Sequence, residues 1–517
     1  MRAFIKLMSG TVLCGALLAS PAARADACPP RPMGGSTITD PEELHSKNGV
    51  LSVDLTMLSD VAVDGTIEYC FAYHDGTEAP TLVVNPGDLL IFNLANRITV
   101  TGATPSPMRH EVSRAARRSQ CDGGAMIATA TNVHFHGLNV PPRCHGDEVI
   151  KTLIQAGDPP FQYRIQIPSN EPPGLYWYHP HAHGFTANQI VGGAAGALIV
   201  AGIENIRPEV AGLPQRVLVV RQKSVPNGGD ESSVLSVNFV PAFPKLAPNI
   251  ALDPGERQFW RVANASSIAF LRLAIVGDHG KEKITLIAVD GVPLGAPLDL
   301  DTVLIPPAGR AEFIVTGPPL NTGEFVNLGF DTGPSGDPNP SALLANIIPS
   351  DNSPLPRMAP ATRHDELHRF TNLSSQTPTR QRKLYFSESD DGKQFFITVA
   401  GQAPKIYDPY DPPAIVTSQG SIEDWVVENR STEVHAFHIH QLHFMVLEVN
   451  GKPVNDPTIR DTVVTPYWDG QSSRYPSIKL RLDFRDPETV GTFLYHCHIL
   501  DHEDGGMMAK IKVVPAN

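Results

Sequence analysis

Short runs of apolar or alternating residues recur along the chain, and Gly, Pro, Asn and Asp bound them. These runs include residues 81–84, 89–94, 197–200, 217–220, 284–289 and 511–514. Alternation with a period of two, punctuated by turn residues, is typical of β-strands. No long stretch of the sequence has helical periodicity. The pattern therefore predicts an all-β protein built from β-sandwiches.

Two interruptions of the strand pattern divide the chain. Residues 204–214 follow a complete strand pattern and contain two prolines, so we interpret them as a linker. Residues 331–382 are rich in Pro, Ser, Asn and Thr and have little periodicity, which predicts a long exposed connection. A chain of 517 residues is long enough for three domains of about 150 residues each. We expect them at 26–205, 206–375 and 376–517.

The first 25 residues have the pattern of an export signal. Arg2 and Lys6 precede an apolar stretch at 7–20, and Ala23-Arg24-Ala25 is a small-x-small cleavage site. A membrane anchor is the alternative, but the stretch is shorter than the roughly 20 residues of a spanning helix. We expect a mature protein that begins near Asp26, is periplasmic or secreted, and has no integral membrane segment.

The charge of the chain bears on its partners. The formal net charge is -13, whereas binding to a polyanion needs a basic face. The one basic run, at 109–118, is interpreted as a solvated loop. We therefore expect no nucleic-acid partner.

Four of the five cysteines in the expected mature chain lie before residue 145. In an oxidising compartment they could form two disulfides in any of three connectivities, and free buried thiols are the alternative. These four are Cys28, Cys70, Cys121 and Cys144. Cys497 differs from them because a histidine precedes it and another follows it.

Ten of the 19 histidines fall in four short clusters. Imidazole suits copper and zinc, and thiolate and thioether ligands select softer metals such as Cu(I). Four His-x-His pairs in one chain therefore indicate a metal centre. The clusters are His134-Phe135-His136, His179-Pro180-His181, His435-Ala436-Phe437-His438-Ile439-His440, and His496-Cys497-His498 followed by His502 and Met507.

Strand geometry converts this spacing into two sites. Side chains alternate across a strand, so both imidazoles of each His-x-His point to one face. The four pairs can therefore converge as eight imidazoles around one copper cluster. Cys497 must face away from its two histidine neighbours, and His435 lies on the face opposite His438. With His502 and Met507, these residues form a two-imidazole, thiolate and thioether set, which is typical of a blue-copper centre.

The four motifs, the last of which spans residues 496–507, resemble those of the multicopper oxidase family, which includes laccases, bilirubin oxidases and bacterial copper-efflux oxidases. The resemblance implies three cupredoxin-like Greek-key β-sandwich domains, four copper ions, and reduction of dioxygen to water with electrons from a reducing substrate. By position, it implies a type 1 copper held by His435, Cys497, His502 and Met507, a type 2 copper held by His134 and His438, and a type 3 pair held by His136, His179, His181, His440, His496 and His498.

The resemblance also implies acidic residues for proton delivery. Glu503 resembles the relay carboxylate of the family. The family often has an Asp nine residues beyond the second His of the first motif, but His145 stands there, so Asp147 is the expected substitute. Reducing substrates are expected near the type 1 copper, against an exposed edge of His502. His183 and His443 are expected to be hydrogen-bond partners or core residues rather than ligands.

Two donor classes fit this reading, phenols or aromatic amines as in laccases, and cuprous or other metal ions as in copper tolerance. Copper-efflux members carry a methionine-rich insert, whereas this chain has ten Met and no cluster beyond Met507-Met508. That favours organic donors, although carboxylates could admit a metal ion. A non-catalytic copper carrier or structural cupredoxin protein is disfavoured, because the ligand set is complete.

Overall fold

The computed structural model describes residues 27–100, 119–226, 233–320, 323–350, 355–362, 365–367 and 369–516. The expected export signal and the basic run lie outside them. Strands dominate the described residues and pair into sheets that pack as three β-sandwiches. The predicted all-β fold is therefore confirmed.

The first sandwich comprises strands β1 to β9. Its two sheets have the strand orders β1-β4-β9-β8-β6 and β3-β2-β5-β7. Between them, Phe92 and Phe135 lie in one apolar core with Leu82 and Leu198. The strands are β1 Glu43–His45, β2 Val50–Val61, β3 Ile67–Tyr73, β4 Thr81–Val84, β5 Leu89–Arg97, β6 His134–His136, β7 Phe161–Gln166, β8 Gly174–His179 and β9 Gly196–Val200.

The second sandwich comprises strands β10 to β22. Its sheets have the orders β12-β11-β10-β14-β20-β17-β18 and β13-β22-β21-β15-β16, and β19 pairs with β15. The strands are β10 Gln215–Ser224, β11 Ser233–Val237, β12 Val240–Pro241, β13 Asn249–Ala251, β14 Arg257–Ala265, β15 Leu271–Gly277, β16 Gly280–Lys281, β17 Ile284–Val289, β18 Val292–Leu300, β19 Val303–Ile305, β20 Arg310–Thr316, β21 Gly323–Asn327 and β22 Ala342–Ile348.

The third sandwich comprises strands β23 to β34. Its sheets have the orders β24-β23-β26-β32-β28-β29 and β25-β34-β33-β27-β31, and β30 pairs with β28. The strands are β23 Arg380–Glu388, β24 Phe395–Val399, β25 Ile415–Ser418, β26 Ile422–Asn429, β27 His435–Ile439, β28 Phe444–Val449, β29 Lys452–Pro453, β30 Ile459–Arg460, β31 Thr462–Thr465, β32 Ser477–Asp483, β33 Gly491–Cys497 and β34 Met508–Val514.

Helices are short in the described residues. They are α1 Thr186–Val191, α2 Ile203–Ile206 and α3 Leu500–Asp504, with 3-10 turns at Pro208–Val210, Leu373–Ser375 and Pro487–Thr489. The expected linker at 204–214 thus contains a helix and a turn. None of these helices is long and apolar enough to cross a membrane.

The expectation of an exposed connection at 331–382 is wrong in part. Strand β22 lies inside this segment and pairs with β21 on one side and β13 on the other. Leu344, Ala345 and Ile347 of β22 are buried in the core of the second sandwich. The apolar run of β22 lacks clean alternation, and prolines flank it, so its composition suggested a loop.

The four cysteines whose pairing the sequence could not determine form two disulfides. Cys28 pairs with Cys70, which ties the N-terminal segment to β3. Cys121 pairs with Cys144 and closes a loop that precedes Asp147. Among the described cysteines, Cys497 is unpaired, and it is buried.

Candidate metal centre

Paired strands place the histidine motifs side by side. In the first sandwich β6 runs antiparallel to β8, so His134 is directly opposite His179. In the third sandwich β27 runs antiparallel to β33, and His438 is opposite His496. All eight imidazoles of the four His-x-His pairs are buried. The rings of His134 and His440, from different sandwiches, stack with centroids 3.8 Å apart.

Three of these rings point nitrogen atoms at one another. The Nε2 atom of His496 lies 3.1 Å from Nε2 of His440 and 3.5 Å from Nε2 of His181. Metal–nitrogen bonds of about 2.0 Å in a tetrahedral arrangement separate the ligand atoms by about 3.3 Å. The spacing of these three nitrogens therefore fits one metal ion.

Several ring nitrogens in the cluster have no hydrogen-bond partner among the described residues. An unsatisfied buried polar atom is costly, so the rings that carry these atoms fit a metal ligand role, each through one of its two nitrogens. The opposite ring nitrogen of His179 is held by the carbonyl of Pro180 at 2.8 Å, and such contacts fix ligand orientation. The unpartnered atoms are Nε2 of His134, His179 and His438, Nδ1 of His136 and His440, and both nitrogens of His498.

Burial favours the neutral form of the imidazoles in this cluster, because it lowers their pKa values. Burial lowers the pKa of His181 and of His496 to about 4, because a charged ring would lose its hydration. A neutral imidazole is the form that binds a metal ion.

A second cluster surrounds Cys497 inside the third sandwich. The Sγ atom of Cys497 lies 3.7 Å from Nδ1 of His435 and 3.8 Å from Nδ1 of His502. The two Nδ1 atoms are 3.2 Å apart. Met507 is buried in the same core, and its carbonyl accepts the N–H of Cys497 at 3.1 Å. A thiolate, two imidazoles and a nearby thioether suit copper.

Models of the multicopper oxidase family match residues 124–205, 176–339 and 376–517. The chain belongs to this family. A multicopper oxidase of Staphylococcus aureus is 25% identical over 403 residues, which cover 74% of this chain and 76% of that protein. A laccase of Bacillus subtilis (strain 168) is 24% identical over 428 residues, covering 74% and 79% respectively. The fold is similar to that of a Campylobacter jejuni multicopper oxidase described as a metallo-oxidase, with a TM-score of 0.69 at 22% identity. The comparison covers 96% of this chain and 99% of that chain.

The multicopper oxidase is therefore an oxidoreductase, and copper is the cofactor of its family. The histidine clusters of the structure fit copper sites. Dioxygen and a reducing substrate are the reactants that membership in the family implies.

Asp147 contacts the first histidine motif of the oxidase. Its Oδ2 atom lies 2.9 Å from Nδ1 of His134, and its Oδ1 atom accepts the N–H of Phe135 at 2.9 Å. Gln441 donates to the same carboxylate at 2.5 Å. Burial raises the pKa of Asp147 to about 8. His145 turns away from the cluster, and its Nδ1 atom lies 2.6 Å from the carbonyl of Gln162.

Glu503 touches imidazoles of two sandwiches. Its carboxylate lies 3.2 Å from Nδ1 of His496 and 3.6 Å from Nε2 of His181. Burial raises the pKa of this carboxyl group. The structure thus brings both sequence-predicted acids to the histidine cluster.

The expected exposed edge of His502 is covered, so that expectation is wrong. The ring of Phe395 stacks on His502 with centroids 4.3 Å apart, and Nε2 of His502 donates to Glu433 at 3.0 Å. The His502 side chain is only 6% exposed. On the other imidazole, Nε2 of His435 lies 3.6 Å from the carboxylate of Glu388. Loop and strand packing, which spacing does not encode, brings these groups over the ring.

Sequence reasoning missed Asp461 of the oxidase. Its Oδ1 atom lies 3.2 Å from Nε2 of His136, and its backbone carbonyl accepts from Nδ1 of His438 at 2.9 Å. An isolated Asp at a strand boundary carries no motif, so the sequence held no signal for it. Of the two neighbouring histidines, His443 bonds to the carbonyl of Asp290 at 3.0 Å, and His183 packs on the ring of Tyr407.

Proposed function

We propose that this oxidase couples one-electron oxidation of a reducing substrate at a type 1 copper to four-electron reduction of dioxygen to water at a trinuclear cluster. Copper supplies one-electron redox steps at the first site and the joint delivery of four electrons to dioxygen at the second. The proposed ligands are His435, Cys497, His502 and Met507 for type 1, His134 and His438 for type 2, and His136, His179, His181, His440, His496 and His498 for type 3.

The arrangement of Cys497 carries this proposal. Its sulfur faces His435 and His502, while its two neighbours along the chain belong to the other cluster: His496 in β33 and His498 directly after it. Only a few covalent bonds therefore separate the two sites. Electrons that enter at the sulfur have a short path to either histidine neighbour.

Protons are proposed to come from Glu503 and Asp147. Glu503 lies between His181 and His496, where a carboxyl group can pass a proton into the cluster. Asp147 holds Nδ1 of His134 and so fixes which ring nitrogen faces the metal. Burial of both groups excludes bulk water from the site.

Phenols and aromatic amines are the first proposed donor class, supported by the absence of a methionine-rich insert. Metal cations are the second proposed donor class, and two carboxylates near the proposed type 1 ligands favour them. Glu433 lies 3.0 Å from Nε2 of His502, and Glu388 lies 3.6 Å from Nε2 of His435, whose hydrogen-bond partner is the hydroxyl of Ser431 at 2.6 Å. A cation bound by these carboxylates would lie one side chain away from the type 1 ligands.

Oxygen uptake with a phenol and with Cu(I), each with and without added Cu(II), tests the two donor classes. Phenol turnover that surplus copper leaves unchanged supports the organic donor. For a cation donor, Glu388→Gln with Glu433→Gln should lower kcat/KM for Cu(I) on the order of ten-fold, or about 1.4 kcal/mol. The phenol reaction of that double variant should fall by a smaller factor, because Glu433 also holds Nε2 of His502.

Glu448→Gln is the matched control, because Glu448 pairs with Lys479 on the same sandwich, away from the copper ligands. A preparation loaded with copper that consumed no oxygen with either donor would contradict the proposed function itself.

We also propose domains at 26–205, 206–375 and 376–517, each of which contains one sandwich, and a periplasmic or secreted location. Two disulfides support the location, because they persist in oxidising compartments.

A further inference from the structure

The second sandwich carries no predicted copper ligand, yet two of its side chains reach the histidine cluster. Arg310 begins β20, and Asp290 lies between β17 and β18; both are buried. The Arg310 guanidinium donates to Asp461 twice, from Nη1 to Oδ1 at 2.8 Å and from Nη2 to Oδ2 at 2.6 Å. The Oδ2 atom of Asp290 accepts the N–H groups of Asp461 and Thr462, both at 3.1 Å.

Asp290 also holds Arg310 itself. Its Oδ1 atom accepts the backbone N–H of Arg310 at 2.8 Å. The side chain and the backbone of Asp461 are thus held by one pair of residues from the second sandwich.

Asp461, which lies in the third sandwich, contacts one imidazole of the first sandwich and one of the third. His136 belongs to the first sandwich and lies 3.2 Å from Oδ1 of Asp461, and His438 belongs to the third and donates to its carbonyl at 2.9 Å. These contacts occupy Nε2 of His136 and Nδ1 of His438. The opposite nitrogens of the same rings are the unpartnered ones, so the contacts determine which atom of each ring faces the metal.

We propose that Arg310 and Asp290 are positioning residues that orient His136 and His438 through Asp461, so that the second sandwich controls copper binding through one proposed type 3 ligand, His136, and one proposed type 2 ligand, His438. This inference rests on the proposed function.

Arginine suits this role for a geometric reason. Its planar fork matches both oxygens of a carboxylate, whereas lysine supplies a single flexible ammonium group. The guanidinium also packs against the first histidine motif: Gly137 has φ +90, and a Cβ there would clash with Arg310 and lie 2.9 Å from Oδ2 of Asp461. Arg310, Asp461 and the backbone beside His136 are therefore closely packed, and this packing restricts their conformations.

A second buried ion pair provides a matched control. Arg261 of β14 pairs with Glu312, which follows Arg310 by two residues on β20. Glu312 accepts the N–H of Leu175 at 2.8 Å and so also links the first and second sandwiches. Among the described residues, no hydrogen bond of this pair reaches a histidine. Arg261→Lys therefore shows what the loss of a buried arginine–carboxylate pair does to the protein when no histidine is involved.

The experiment compares copper-loaded wild type, Arg310→Lys and Arg261→Lys. Copper per chain, the blue absorption of type 1 copper and the electron paramagnetic resonance signal of type 2 copper are measured. Arg310→Lys should keep the blue absorption, alter the type 2 signal, and weaken copper affinity at that site on the order of 10- to 100-fold. Arg261→Lys should leave the type 2 signal as in the wild type.

If Arg310→Lys does not fold, Thr462→Val provides a second test of whether Asp461 orients His438. The Thr462 hydroxyl donates to Oδ1 of Asp461 at 2.8 Å and lies 3.3 Å from Nδ1 of His438, and valine has nearly its shape. This variant should also alter the type 2 signal. Wild-type signals in both Arg310→Lys and Thr462→Val, or an equal change in Arg261→Lys, would overturn the inference. A wild type without a blue band would contradict the proposed function instead.

Discussion

At the scale of single residues, the chemistry of this oxidase depends on which way neighbouring side chains face. Cys497 points into the core of the third sandwich, and the histidines bonded to it point into the cluster between sandwiches. Alternation along β33 requires this opposition. The end of β33 thereby faces both proposed metal sites.

Replacement of Cys497 by serine is the sharpest test at this scale. A hydroxyl lacks the soft thiolate that binds copper in a blue centre. Cys497→Ser should abolish the blue absorption and reduce oxygen uptake to background, while the type 2 resonance signal persists. Optical and resonance spectra of one sample check both points. A serine variant that stays blue would contradict the assignment.

At the scale of elements, short helices fasten the ligand-bearing loops to each other. The Asp504 carboxylate of α3 accepts N–H groups of Gly184 and Ala187 at 2.9 Å and of Thr186 at 3.3 Å, where α1 begins. The loop before α1 carries His181, and α3 carries His502. A residue of the third sandwich thus caps a helix of the first.

Asp504→Ala removes the acceptor of three buried or half-buried N–H groups. We expect the free energy of unfolding to fall by about 2 kcal/mol, as for lost helix caps and unsatisfied donors. Urea titration followed by fluorescence measures this change. Asp501→Ala is the control, because Asp501 is exposed, and it should alter stability by no more than about 0.5 kcal/mol. Equal effects in both variants would refute the capping role.

At the scale of the whole molecule, the sandwiches are joined by apolar packing as well as by the proposed copper cluster. One buried apolar cluster includes Trp177 of the first sandwich, Val219 of the second and Leu500 of α3. The histidine cluster adds a junction between the first and third sandwiches. Its imidazoles need a metal ion to satisfy their inward nitrogens.

Removal of copper should therefore lower the stability of the entire protein. A ligand present at about 100 times its Kd stabilises the folded state by about 2.7 kcal/mol, provided that it does not bind the unfolded chain. Thermal unfolding of chelator-treated protein should begin at a lower temperature than that of copper-loaded protein, and added copper should restore it. If the copper-loaded protein contains copper but has the same Tm as the chelator-treated protein, the histidine cluster does not stabilise the junction between the sandwiches.

The strand pattern and the spacing of the histidine motifs were sufficient to predict the all-β class and the two copper-fitting clusters. Both follow from a local rule, the alternation of side chains along a strand. The same rule places Cys497 on the strand face opposite His496 and His498, and His435 on the face opposite His438.

Contacts between distant segments were decided by the tertiary structure alone. The pairing of the four cysteines, the cover of Phe395 and Glu433 over His502, and the link from Arg310 to Asp461 all join residues far apart in the chain. Local periodicity carries no information about which distant segments meet, because sheet packing and loop paths determine those meetings. The motifs therefore specified which residues could hold copper, and the packing of three sandwiches specified what orients and covers them.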